Sequence, residues 1–75
     1  MNKEDFLLGF QEQFEDTDPS LITFETKYKD LDEWSSMMSL IIIAFVDESF
    51  MVTLSGDDFR NTFTVEELYN IVVNK

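Results

Sequence analysis

One stretch constrains this chain more than any other. From Asp32 to Phe50 it runs through acids and serines, then Met37-Met38-Ser39-Leu40-Ile41-Ile42-Ile43-Ala44-Phe45-Val46, then Asp47-Glu48-Ser49-Phe50. The apolar body is too long for most buried strands and far too short to span a bilayer. A helix of about four turns is the expectation. Ser35 and Ser36 both suit its N-terminus, where a hydroxyl can accept from an otherwise unpaired backbone N–H. As the most hydrophobic element, it should be the core helix.

The flanking segments read as helices arranged around it. Asn2 to Glu15 carries Phe6, Phe10 and Phe14 every four residues, with Leu7 widening the stripe. That is an amphipathic pattern. Asn2 can cap it, Glu4 lies in the first turn and Asp5 near the capping-box position. Asp16-Thr17-Asp18-Pro19 should end it, because proline disfavours helical geometry in the residue before it. Between Ser20 and Glu33 the alternation Ile22, Phe24, Thr26, Tyr28 suggests a strand, but nothing else in the chain could pair with one. A long loop pinned by Leu21 or Ile22, Tyr28 and Leu31 is the better reading, and loops this long often contain a short helix. Met51 to Leu54 should be extended, with Val52 and Leu54 pointing one way. Ser55 to Asn61 should make one helical turn that buries Phe59. Thr64-Val65-Glu66-Glu67 is a capping box opening a last helix with Val65, Leu68, Ile71 and Val72 inward. The expected fold is therefore all-α: a small bundle of three main helices and one short one, with a long loop between the first two, as a single domain over residues 1–75.

Composition narrows function by exclusion. There is no cysteine and no histidine, so disulfides, the usual zinc sites and acyl-transfer triads are all out of reach. Eight phenylalanines, one tryptophan and four methionines must supply the packing. The formal net charge of −11 opposes binding to nucleic acid or to anionic membranes and favours basic partner surfaces. It also keeps an aromatic-rich domain in solution. Only Gly9 and Gly56 are present, so no glycine-rich phosphate loop exists. Asp30-Leu31-Asp32 opens like a calcium loop, but Ser35 stands where its glycine is required and no glutamate closes it. A metal site is not expected, and a chain this small leaves little room for a substrate pocket, so the expectation is not an enzyme. The early acids in Met1-Asn2-Lys3-Glu4-Asp5 do not resemble a signal peptide, making the cytoplasm the expected compartment.

The central stretch resembles the acyl carrier proteins. Their attachment motif is aspartate-serine-leucine at the start of the second helix, preceded by a leucine on the long loop; here the run is Leu31-Asp32-Glu33-Trp34-Ser35-Ser36-Met37. The likeness continues through Asp47-Glu48-Ser49-Phe50, the apolar pair Val52 and Leu54, and Thr64-Val65-Glu66-Glu67. It covers nearly the whole chain without an insertion between Ser36 and Val65. The resemblance implies a carrier that holds acyl or aminoacyl groups as thioesters on 4′-phosphopantetheine, derived from coenzyme A and attached to Ser36, with Ser35 the second choice. Counting back from Phe50 puts Ser36 in the family's register. Two departures stand out: Ser35 replaces the usual aspartate, and Glu33-Trp34 replaces a glycine with one extra residue. The implied partners are a phosphopantetheinyl transferase, an acyl- or aminoacyl-loading ligase, and an acyltransferase or condensing enzyme, met by a cytoplasmic monomer in fatty acid or secondary metabolite biosynthesis. The alternative is a carrier-fold protein that is never modified and acts as an acidic interaction or scaffold protein.

The core helix also suggests a docking face. With Ile42, Ile43, Val46 and Phe50 turned inward, helical geometry turns Met37, Met38, Ile41 and either Ala44 or Phe45 toward solvent or a groove. Asp47, Glu48, Asp57 and Asp58 would rim that face, and methionines repack easily against different partners.

Overall fold

In a computed structural model, which describes residues 2–75, the chain forms an all-α bundle measuring 28 × 23 × 20 Å. Helix α1 spans Lys3–Glu12, α2 Ser36–Phe50, α3 Gly56–Arg60 and α4 Val65–Val73. The connection between α1 and α2 contains two 3₁₀ turns, Pro19–Leu21 and Tyr28–Asp30. Helix α1 packs against both α2 and α4, and α3 packs against α4. The three long helices thus surround one core, which includes the fully buried Phe6, Phe10, Ile22, Tyr28, Ile42 and Leu68. No helix among the described residues is long and apolar enough to cross a membrane.

Helix α1 starts as its sequence implies, with the Asn2 side chain accepting from Glu4 N at 2.8 Å. It ends three residues earlier than Glu15. Gln13 N and Phe14 N bond to the carbonyls of Phe10 and Gln11, tightening the last turn. The next two amides, of Glu15 and Asp16, then turn away to donate to the Glu33 carboxylate at 3.1 Å each. No basic residue in the last turn offsets the negative helix end, so extension into more acids is disfavoured. Phe14 is nonetheless buried, completing the stripe from outside the helix.

The long connection is held by side chains reaching back onto the bundle. Gln11 Nε2 donates to the carbonyls of Pro19 and Ile22, at 3.1 and 2.7 Å. Ile22 is the buried pin, while Leu21 stays 64% exposed. The alternating pattern from Ile22 to Tyr28 becomes a single antiparallel bridge between Lys27 and Thr64, not a strand. That bridge completes the start of α4. Val65 N and Glu66 N donate to Thr26 O and Phe24 O at 3.1 and 3.0 Å, and Glu67 N donates to Thr64 Oγ1 at 3.1 Å. Amides that a helix cannot pair internally are thereby satisfied by the loop.

Helix α2 is rotated from the expected orientation. Its buried face is Met38, Ile42, Phe45 and Val46, whereas Ile43 and Phe50 are half-buried. Spacings of four, three and one residues are those of a single helix face. Met38, expected to face outward, is therefore a core residue, and of the alternatives Ala44 and Phe45 it is Ala44 that faces outward while Phe45 joins the core. The sequence could not decide this, because the helix is apolar on nearly every side. Met51 also departs from the extended reading: it caps α2 in the left-handed region at φ 58°, its amide donating to Asp47 O. Val52 and Leu54 turn inward beyond it, Leu54 fully, and α3 buries Phe59 as its spacing implies.

Candidate functional site

The site begins with how the chain enters α2. Glu33, on the approach, gathers three donors: the amides of Glu15 and Asp16 and the Thr17 hydroxyl at 2.7 Å. Trp34 follows and lies edge-on to Tyr28, with ring centroids 4.9 Å apart, and also against Phe14 and Phe59. The pair that departs from the carrier pattern in sequence thus anchors this approach, one residue by charge-assisted hydrogen bonds and the other by aromatic packing.

The two serines then divide their work. Ser35 is the N-cap, its hydroxyl accepting from Met38 N at 3.2 Å while its own backbone is extended. Ser36 is the first helical residue and is exposed. Among the described residues its hydroxyl has no hydrogen-bond partner; only its carbonyl is engaged, accepting from Ser39 Oγ at 2.6 Å. The amides of Ser36 and Met37 are likewise unpaired among the described residues. In α4 the equivalent amides are filled by the loop. The start of α2 therefore keeps an open, electropositive end with a free hydroxyl in it.

The expected docking residues separate into distinct environments. Met37 is 69% exposed, Ile41 is half-buried, and Asp47 and Glu48 are exposed. Met38, at 5% exposure, belongs to the core and cannot serve as a contact residue without unpacking it. Leu40, not singled out in the sequence, is 65% exposed and extends the apolar stripe between Met37 and Ala44. Its position three and four residues from those neighbours was the available signal. Asp57 and Asp58 are occupied locally, by Arg60 and Lys75 respectively, each at 2.9 Å. Burial works against the Asp58 charge, but the Lys75 ammonium and the Ser55 amide outweigh it and hold its pKa below the usual carboxylate value.

Away from α2, Tyr28 links the loop to the C-terminal half. Its buried hydroxyl lies 2.6 Å from Thr62 Oγ1. Burial raises the phenol pKa; the Thr62 contact opposes that rise, and the charges of Glu67 and Asp58 add to it. Asp16, Asp18, Asp30 and Asp32 border a small loop cavity. Among the described residues no group of three or more potential ligands is arranged to hold a metal ion. Compared with known protein families, curated proteins and solved structures, the chain matches none.

Proposed function

We propose that this chain is a carrier: Ser36 Oγ receives 4′-phosphopantetheine, and the bundle presents the resulting arm to partner enzymes without catalysing a reaction itself. The observation that carries the reading is the free, exposed hydroxyl of Ser36 at the open end of α2, beside a Ser35 that already supplies the cap. A phosphodiester there would meet the positive end of the helix and the unpaired amides of Ser36 and Met37, which suit an anion. The fixed entry through Glu33 and Trp34 holds that end in place. When bound, the group would supply a terminal thiol that holds an acyl or aminoacyl cargo as a thioester. The chain's own residues supply the handle and the address: Met37 and Ile41 with Asp47 and Glu48 form the surface that a transferase, a loading ligase and an acyltransferase or condensing enzyme would read.

The replacement of aspartate by Ser35 favours the second reading, an unmodified acidic scaffold, and intact mass separates the two. After incubation with coenzyme A and a broad-specificity phosphopantetheinyl transferase, the carrier reading expects one added phosphopantetheine. The gain disappears in Ser36→Ala and persists in Ser35→Ala, which costs only a cap of about 1 kcal/mol. An unchanged mass in the folded wild-type chain, or modification surviving in Ser36→Ala, would overturn it.

A further inference from the structure

A groove of about 540 Å³ runs between α1 and α2, and its existence depends on Gly9. A Cβ at that position would collide with the edge of the Phe45 ring, so only glycine lets the ring lie against α1 and form the floor. Leu8 on one wall is 56% exposed; Ile41 and Ala44 form the other. Three carboxylates border the groove: Asp5 and Glu12 from α1 and Glu48 from α2. None of them has an ion-pair partner among the described residues.

We propose that this groove docks a basic amphipathic helix of a partner protein, its apolar side chains entering between Leu8 and Ala44 over Phe45 and its lysines or arginines meeting Asp5, Glu12 and Glu48. Three arguments select that occupant. Both walls are helices whose backbones are internally bonded, so no strand edge is on offer and an extended peptide would find no main-chain partners. An apolar floor between charged rims is the shape that accepts a helix with side chains spaced three and four residues apart. Unpaired carboxylates on both rims complement cations, whereas a second copy of this chain, with a net charge of −11, would bring more acid to them. Ser36 does not line the groove, and although Ile41 and Glu48 belong both to it and to the surface assigned above to partner enzymes, the inference does not depend on the carrier reading.

The test uses the Ser36→Ala chain, which cannot carry an arm on that residue, so its result is separate from the modification experiment. The ¹⁵N-labelled protein is titrated with a synthetic leucine–lysine peptide patterned as an amphipathic helix, and with a scrambled peptide of identical composition. The expected shift changes are confined to residues 5–13 and 41–50, with tighter binding of the patterned peptide. Leu8→Ser weakens it about tenfold. Glu12→Gln with Glu48→Gln weakens it about threefold to tenfold, while Glu25→Gln with Asp30→Asn, the same charge change elsewhere, alters it less than about twofold. All these positions are exposed, so the variants keep their fold, as far-UV circular dichroism would verify. Equal binding of the scrambled peptide, shift changes outside the groove, or groove shifts that depend on protein concentration without peptide would each overturn the proposal.

Discussion

Met51 is the one described residue other than glycine with positive φ, at 58°, and its side chain is 90% exposed. The left-handed region costs an ordinary L-residue about 1–2 kcal/mol, which is why glycine usually ends helices this way. Nothing in the fold compensates Met51 through burial. Replacing it by glycine removes the steric cost and returns part of the gain to the more flexible unfolded chain. Met51→Gly should therefore stabilise the protein by about 0.5–1 kcal/mol. Urea denaturation would show a higher midpoint at unchanged slope; a lower midpoint would mean that the methionine makes a contact worth more than its backbone strain.

Between elements, the contact of α1 with α2 is set by the glycine–phenylalanine pair. Alanine normally improves a helix interior over glycine by about 1 kcal/mol. At position 9 the added methyl must displace Phe45, and overpacking of this kind costs about 1–3 kcal/mol. Gly9→Ala should lower stability by about 1 kcal/mol in the native background, opposite to helix propensity. In a Phe45→Ala background, where the ring is gone, the same substitution should become stabilising. A double-mutant cycle on thermal or urea unfolding reads the sign change directly, and additive effects would show that ring and glycine do not interact. The start of α2 raises a related point about elements. Loop residues close the amides of Val65 and Glu66 at the start of α4 but not those of Ser36 and Met37 at the start of α2, so two helix ends that both begin at a hydroxyl cap acquire different chemistry.

At the scale of the whole molecule, charge is unbalanced and four of its five cations are already engaged. Lys3, Arg60 and Lys75 pair with Glu66, Asp57 and Asp58, and Lys29 donates to Phe59 O at 2.6 Å. The remaining carboxylates repel one another across a particle only 28 Å long. Screening should relieve that repulsion more than it weakens three surface ion pairs, since exposed pairs contribute little. Raising sodium chloride from about 0.01 M to about 1 M shortens the screening length roughly tenfold. The melting temperature should rise by about 5 °C, which corresponds to about 1 kcal/mol in a domain of this size. A flat or falling melting temperature would show that the acids are arranged to avoid one another.

The sequence by itself determined the number and kind of elements. Caps at Asn2 and Thr64, the phenylalanine stripe of α1 and the apolar length of α2 are local signals, and each is spent within a few residues of where it is written. It also placed a pair of serines at the start of the core helix. Tertiary structure alone decided which way that helix faces, because a stretch apolar on every side has no direction until neighbours pack on it. That packing sent Met38 and Phe45 inward, left Leu40 outside, and made a groove from a glycine in one helix and a ring in another. It likewise decided what Glu33 does, since its partners Glu15, Asp16 and Thr17 lie at the far end of a long loop. Contacts between residues distant in sequence carry no local pattern, and the features on which function would rest here are built from them.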